Sequence, residues 1–154
     1  MSSNFNFLGC LATVQVDPAD NGGRFGLVEM LIPSGDQPPL HVHTDTDEGF
    51  HVIEGEMTLW LEGHDPFKLG PGQSVVAPHA VPHTYKITSS EDARVFVSST
   101  PGRFVQFVKD YADPTDATGL TPMAGPPDME RLNASATEHG IQLLGPPGTL
   151  PQAR

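Results

Sequence analysis

Residues 35–55 read GDQPPLHVHTDTDEGFHVIEG, and two short extended runs are legible in them. Turn formers open the segment, LHVH follows at 40–43, TDTD turns the chain, and a second run covers 48–54. Strand side chains alternate between faces, so His41 and His43 leave the same face. The polar turn can fold Glu48 back toward them, which brings two imidazoles and a carboxylate together. Phe50 and Val52 share the parity of Glu48 and are expected to line the same space as an apolar substrate pocket. His51 falls on the opposite face, where packing or a subunit contact is expected.

Further on, VVAPHAVPHTY at 75–85 places Pro78 and Pro82 ahead of a short run at 83–88. His83 is a fourth candidate ligand. Tyr85 shares its parity, either as a hydroxyl near substrate or as plain lining. His79 lies in the proline-flanked turn, His64 in the exposed turn EGHDP, and His139 near a helix C-terminus, where positive charge is favourable. Cys10 is the only cysteine, so a disulfide framework, a Cys-rich zinc site and an iron–sulfur cluster built from this chain alone are excluded. A metal must therefore sit on His and carboxylates. That donor set suits Fe, Mn, Ni, Co or Zn, one per chain, rather than Mg or Ca.

The remaining chain continues the pattern. LATVQV (11–16) and RFGLVEMLI (24–32) flank the turn cluster DPADNGG, and further short strands are expected near 57–62, 74–77 and 93–99. Such regular short spacing predicts an all-β barrel or sandwich. In MTLWLE (57–62), Met57, Leu59 and Leu61 share one face, so Trp60 points away from the core, under a terminal segment or partner subunit or into a pocket. In TPGRFVQFVKDYADP, Phe104, Phe107, Val108 and Tyr111 recur at helical spacing before Pro114, predicting a helix packed on the barrel rather than one that meets the chemistry. A second helix is expected from Asp128 to His139, stopped by Gly140, and residues 144–154 are expected to be loose. The organisation is thus a β-barrel domain with its first C-terminal helix over 1–112, and a loop, short helix and tail packed on it over 113–154.

At 154 residues and 16.5 kDa the chain fits one domain with one core. Sixteen Gly and 16 Pro favour many turns over a helical bundle. The net charge of -11 repels phosphate backbones and anionic membranes, so neither nucleic acid nor a membrane is an expected partner. No run of 18 apolar residues occurs, and MSSNFNFLGC lacks the basic start and apolar core of a signal peptide, so a cytoplasmic address is expected.

The spacing resembles the cupins. Their first motif runs Gly, five residues, His, one, His, three or four, Glu, six, Gly, and Gly35, His41, His43, Glu48 and Gly55 match it throughout. Gly72, Pro78 and His83 match the second motif, while Ala80 stands at its second Gly and Ile87 at its Asn. The resemblance covers about residues 24–100. It implies a double-stranded β-helix, or jelly-roll barrel, with a short helical C-terminal appendage and a divalent transition metal held by His41, His43, Glu48 and His83. It also implies a homodimer through barrel edges. The tail helix is similar to that of small single-domain quercetin dioxygenase-like proteins, in which tail helices cover part of the barrel mouth.

Such a centre keeps positions open for water, a chelating small molecule or dioxygen. The expected function is a metal-dependent oxygenase acting on an enolic, phenolic or polyketide-like substrate, with Glu48 as ligand and general base and Tyr85 beside the substrate. A non-redox isomerase, lyase or cyclase uses the same site without dioxygen, and a non-catalytic binding cupin keeps only the metal and the ligand.

Overall fold

The computed structural model describes residues 3–153. Among them are twelve strands: β1 (Asn4–Phe7), β2 (Cys10–Val16), β3 (Gly26–Ile32), β4 (Leu40–His43), β5 (Asp47–Glu54), β6 (Met57–Leu61), β7 (Phe67–Leu69), β8 (Ser74–Ala77), β9 (His83–Ile87), β10 (Ala93–Thr100), β11 (Asp113–Pro114) and β12 (Ile141–Gly145). Two helices, α1 (Arg103–Tyr111) and α2 (Met129–Glu138), follow the barrel strands. The strands form two antiparallel sheets, ordered β11-β1-β2-β3-β10-β5-β8 and β12-β4-β9-β6-β7. This is the jelly-roll, all-β architecture expected from the short, turn-bounded runs.

Alternation decides the core. Val28, Met30 and Ile32 of β3 and Val95 and Val97 of β10 are buried from one sheet, and Met57, Leu59 and Leu61 of β6 from the other. Trp60 is half-buried on the outer face of β6, opposite Thr84. The strand expected from residue 24 begins at Gly26. Asn21 Oδ1 accepts from the backbone of Arg24 and Phe25, which keeps those two residues in the turn.

Two family glycine positions show what the backbone requires. Gly55 has φ +83° and sits where a Cβ would meet Ala93 Cα at 2.9 Å, so the β5–β6 turn admits no side chain. Ala80, standing where the family has its second glycine, adopts φ +63°. Its amide donates to the His43 carbonyl at 2.7 Å, which ties the turn before β9 to β4.

The C-terminal third is part of the sheets. β11 pairs with β1, and β12 adds to the edge of β4. Leu144 and Gly145, expected in a loose tail, belong to β12, and Gly63 N donates to the Gln152 carbonyl at 3.0 Å. Both helices occur where periodicity and caps place them. Asp128 caps α2 by accepting from Arg131 N, and His139 follows as its C-cap. On α1, Phe107, Val108 and Tyr111 are buried. Among the described residues no helix is long and apolar enough to cross a membrane.

Candidate metal centre

β4 and β9 are joined at a single register pair, His41 opposite His83, so these two imidazoles start side by side. Their ring centroids lie 4.4 Å apart. Two residues on, His43 projects from the same face, 5.2 Å from His41 and 5.4 Å from His83 between ring centroids. The turn at 44–46 returns the chain, and Glu48 near the start of β5 completes the group. One ligand atom from each of His41, His43, Glu48 and His83 lies within 4.8 Å of all the others.

Burial and hydrogen bonding show what this cluster lacks. His43, Glu48 and His83 are 2%, 3% and 1% exposed, while His41 is half-buried. Glu48 Oε2 approaches His43 Nε2 at 2.7 Å, yet the pair lacks hydrogen-bond geometry, and Glu48 Oε1 is 3.9 Å from His83 Nε2. Both ring nitrogens of His43, Nε2 of His83 and Oε2 of Glu48 have no hydrogen-bond partner. A buried polar atom left unpaired costs about 1–3 kcal/mol, and Nε2 of His43, Nε2 of His83 and the Glu48 carboxylate lie together, so these groups call for a shared partner. A divalent cation fits that need, because it accepts lone pairs from several directions at once.

Neighbouring carbonyls set the ring orientations. His41 Nδ1 lies 2.7 Å from the Pro39 carbonyl and His83 Nδ1 3.3 Å from that of Val81. A carbonyl only accepts, so each Nδ1 carries the proton and each Nε2 keeps its lone pair. Burial, reinforced by His83 and His43, pushes His41 down to about 3, so it is neutral at ordinary pH, the form that can bind a cation. Burial alone would raise Glu48; His43 and His83 outweigh it and hold the carboxyl well below its usual range.

Beside the cluster is a cavity of about 70 Å³. Phe50 and Tyr85 line it, as their parity predicts, with ring centroids 5.8 Å apart. Val52 does not. It is packed in the core, because two further residues move it about 7 Å along β5 from Phe50. Phe104 and Phe107 of α1, Leu132 of α2, and Ile141 and Leu143 of β12 close the other side. Phe104 stands edge-on to His43 at 6.2 Å, so the aromatic stripe of α1 both packs on the barrel and walls the candidate site. Its helical spacing was visible in the sequence, but not which part of the barrel it covers.

The other singled-out histidines lie elsewhere. His51 on the outer face of β5 contacts the Ser74 and Ser98 hydroxyls at 2.8 and 3.4 Å. His79 is exposed and pairs with Asp47 at 2.8 Å, and His64 is exposed in its turn. His139 bridges Asp110 Oδ2 and the Ser135 carbonyl, joining α2 to α1.

With a jelly-roll barrel and three His plus one Glu converging inside it, the chain has the features of the cupin class, and its residues 28–99 match the model of the cupin domain. That match covers just under half of the chain. The chain is 34% identical over 92 residues to quercetin 2,3-dioxygenase of Bacillus subtilis, covering 60% of this chain and 27% of that protein. It is also 38% identical over 54 residues to the dimethylsulfoniopropionate lyase DddQ of Ruegeria pomeroyi, covering 35% of this chain and 26% of that one. The chain therefore spans about a quarter of the length of these two curated relatives. Among solved structures, ectoine synthase from P. lautus aligns with a TM-score of 0.58 at 18% identity, over 83% of this chain and 86% of that one. KdgF from Halomonas aligns at 0.54 and 24% identity, over 60% of this chain and 79% of that one. Both show the fold.

Proposed function

We propose that the protein is a metal-dependent cupin enzyme, an oxygenase of the quercetin dioxygenase-like type acting on a small enolic, phenolic or polyketide-like substrate. The observation that carries this reading is the convergence of one potential ligand atom from each of His41, His43, Glu48 and His83 beside an apolar cavity, with buried atoms of His43, Glu48 and His83 left without a hydrogen-bond partner. His41, His43, Glu48 and His83 would hold one Fe, Mn, Ni, Co or Zn. When bound, the metal supplies Lewis acidity and an open position for a substrate oxygen.

The chain's own groups do the rest. Glu48 is anionic, so one of its oxygens can take the proton of an enol or phenol that arrives at the centre. Tyr85 keeps its proton, since burial, with Cys10, Asp36 and Glu48 nearby, pushes its hydroxyl up. It therefore orients a substrate oxygen by donation rather than acting as a base. Phe50, Phe104 and Phe107 give flat apolar walls that suit a planar, conjugated substrate and exclude water.

Dioxygen consumption tests the reaction type. Protein loaded separately with Fe, Mn, Co and Ni is offered a panel of enols and phenols in an oxygen electrode. Substrate loss matched by dioxygen uptake, and abolished anaerobically, is the expected result. Similarity to a lyase supports a second, non-redox reading, and unchanged turnover under strict anaerobiosis would select it.

A further inference from the structure

The cavity beside the cluster does not end at Tyr85. A second chamber of about 620 Å³ adjoins it, and Phe7, Pro38, Pro39, Tyr85, Leu132 and Leu143 line both. The inner cavity, at about 70 Å³, holds little more than the chelating end of an organic molecule. The outer one is in the size range of small-molecule sites. A substrate that reaches the centre therefore leaves most of its body outside Tyr85.

The outer chamber is apolar apart from a few groups. Among the described residues that line it, Asp36 is the only carboxylate and none is Lys, Arg or His, and Gln37 stands next to Asp36. The Asp36 carboxylate is half-buried, its Oδ2 3.6 Å from the Cys10 thiol. Burial raises Asp36 and, with Asp36 alongside, raises the Cys10 thiol, so Cys10 is a proton-bearing neighbour and not a nucleophile. Gln37 lines the chamber, and its Nε2 is a covered donor with no partner among the described residues, which a rotation of the side-chain amide would present to the chamber. The chamber thus offers an acceptor and an unused donor on consecutive residues. A hydroxyl satisfies both at once, because it donates and accepts. An ammonium would leave Gln37 Nε2 unpaired, and a carboxylate would meet Asp36 with like charge.

We propose that the outer chamber is the second half of the substrate site, in which Asp36 and Gln37 bind a hydroxyl at the end of the substrate remote from the metal-chelating oxygens. This rests on the chelation reading above. It narrows the substrate class to elongated, largely apolar molecules with an enol or phenol at one end and a free hydroxyl at the other. Asp36 and Gln37 are then specificity-determining residues that take no part in the chemistry at the centre.

Equilibrium binding tests this without turnover. Zn-loaded protein is titrated calorimetrically with 3-hydroxyflavone, which carries a chelating hydroxy-ketone and no other hydroxyl, and with monohydroxy derivatives bearing one extra hydroxyl at successive positions on the remote rings. At least one derivative is expected to bind the wild type about tenfold more tightly than the parent, the gain of one good buried hydrogen-bond pair. That advantage should fall below about threefold in Asp36→Ala and in Gln37→Leu, while the parent binds all three proteins alike, which also reports that the variants are folded. Equal binding of parent and all derivatives to wild type, or an advantage that survives both substitutions, would overturn the assignment. Should neither parent nor derivatives bind wild type, the chelation reading itself fails, and this proposal with it.

Discussion

At the scale of single residues, the centre depends on groups that cannot be satisfied by the protein alone. His43 is the clearest case, with both ring nitrogens unpaired and only 2% of its surface exposed. His43→Ala should reduce metal content measured by elemental analysis from near one per chain to well below half, with the circular dichroism of the barrel retained. Full metal retention would remove His43 from the ligand set. Ala80 offers a stability test of the same kind. Its left-handed backbone costs an L-residue roughly 1–2 kcal/mol, partly offset by the entropy that glycine loses on folding. Ala80→Gly is therefore expected to raise Tm by about 2 °C, given about 2–4 °C per kcal/mol at this size. A lower Tm would mean that the Ala80 methyl makes a contact worth more than the strain.

At the scale of elements, the centre is completed by parts remote in sequence. β12 lies on the edge of β4 with Ile141 opposite His43 and Leu143 opposite His41. Arg103 at the start of α1 donates to Asp45 Oδ2 and to the Glu138 carbonyl, both at 2.9 Å, so one guanidinium ties the β4–β5 turn to the end of α2. Gly140, at φ +74°, passes so close to that guanidinium that a Cβ would stand 2.6 Å from it. Ile141→Ala removes a buried side chain from the wall behind His43 and should cost about 2–5 kcal/mol. It should also weaken metal binding in a competition titration with a chromophoric chelator. If stability falls and metal affinity does not, β12 is a structural strand that leaves the ligand geometry alone.

At the scale of the whole molecule, the buried histidine cluster makes stability depend on pH. His41 in the fold takes its proton only near 3, against about 6.5 in an unfolded chain, so below 6.5 the unfolded state binds more protons. Its contribution is present above that value and is lost progressively as pH falls toward 3. Glu48, whose folded value lies below that of a free carboxyl, adds a loss in the same direction below about 4.5. Metal-stripped protein should therefore show a Tm that drops by several degrees between pH 7 and 5. Added divalent metal should raise Tm at pH 7 by mass action, since it binds the folded state. A flat Tm over that range in the stripped protein would show that His41 is hydrated rather than enclosed.

Much of the candidate site was open to reading in the one-dimensional order of residues, because the residues that form it obey local rules. The His41–His43 spacing places two imidazoles on one strand face whatever surrounds them, turn formers bound the strands, and Asp128 marks the start of α2. Parity, however, specifies a face and not a depth, which is why Phe50 reaches the cavity and Val52, on the same face of β5, is core. β1, β7, β11 and β12 carry no such local signal, since a few extended residues become a strand only when a distant edge accepts their hydrogen bonds. The sequence by itself determined the barrel class, the four residues of the candidate cluster and the two helices, through periodicity and fixed spacing. Tertiary structure alone decided that β12 and α1 wall the centre, and that Asp36 and Gln37 share a chamber with Tyr85, because such contacts join segments more than forty residues apart that only folding brings together.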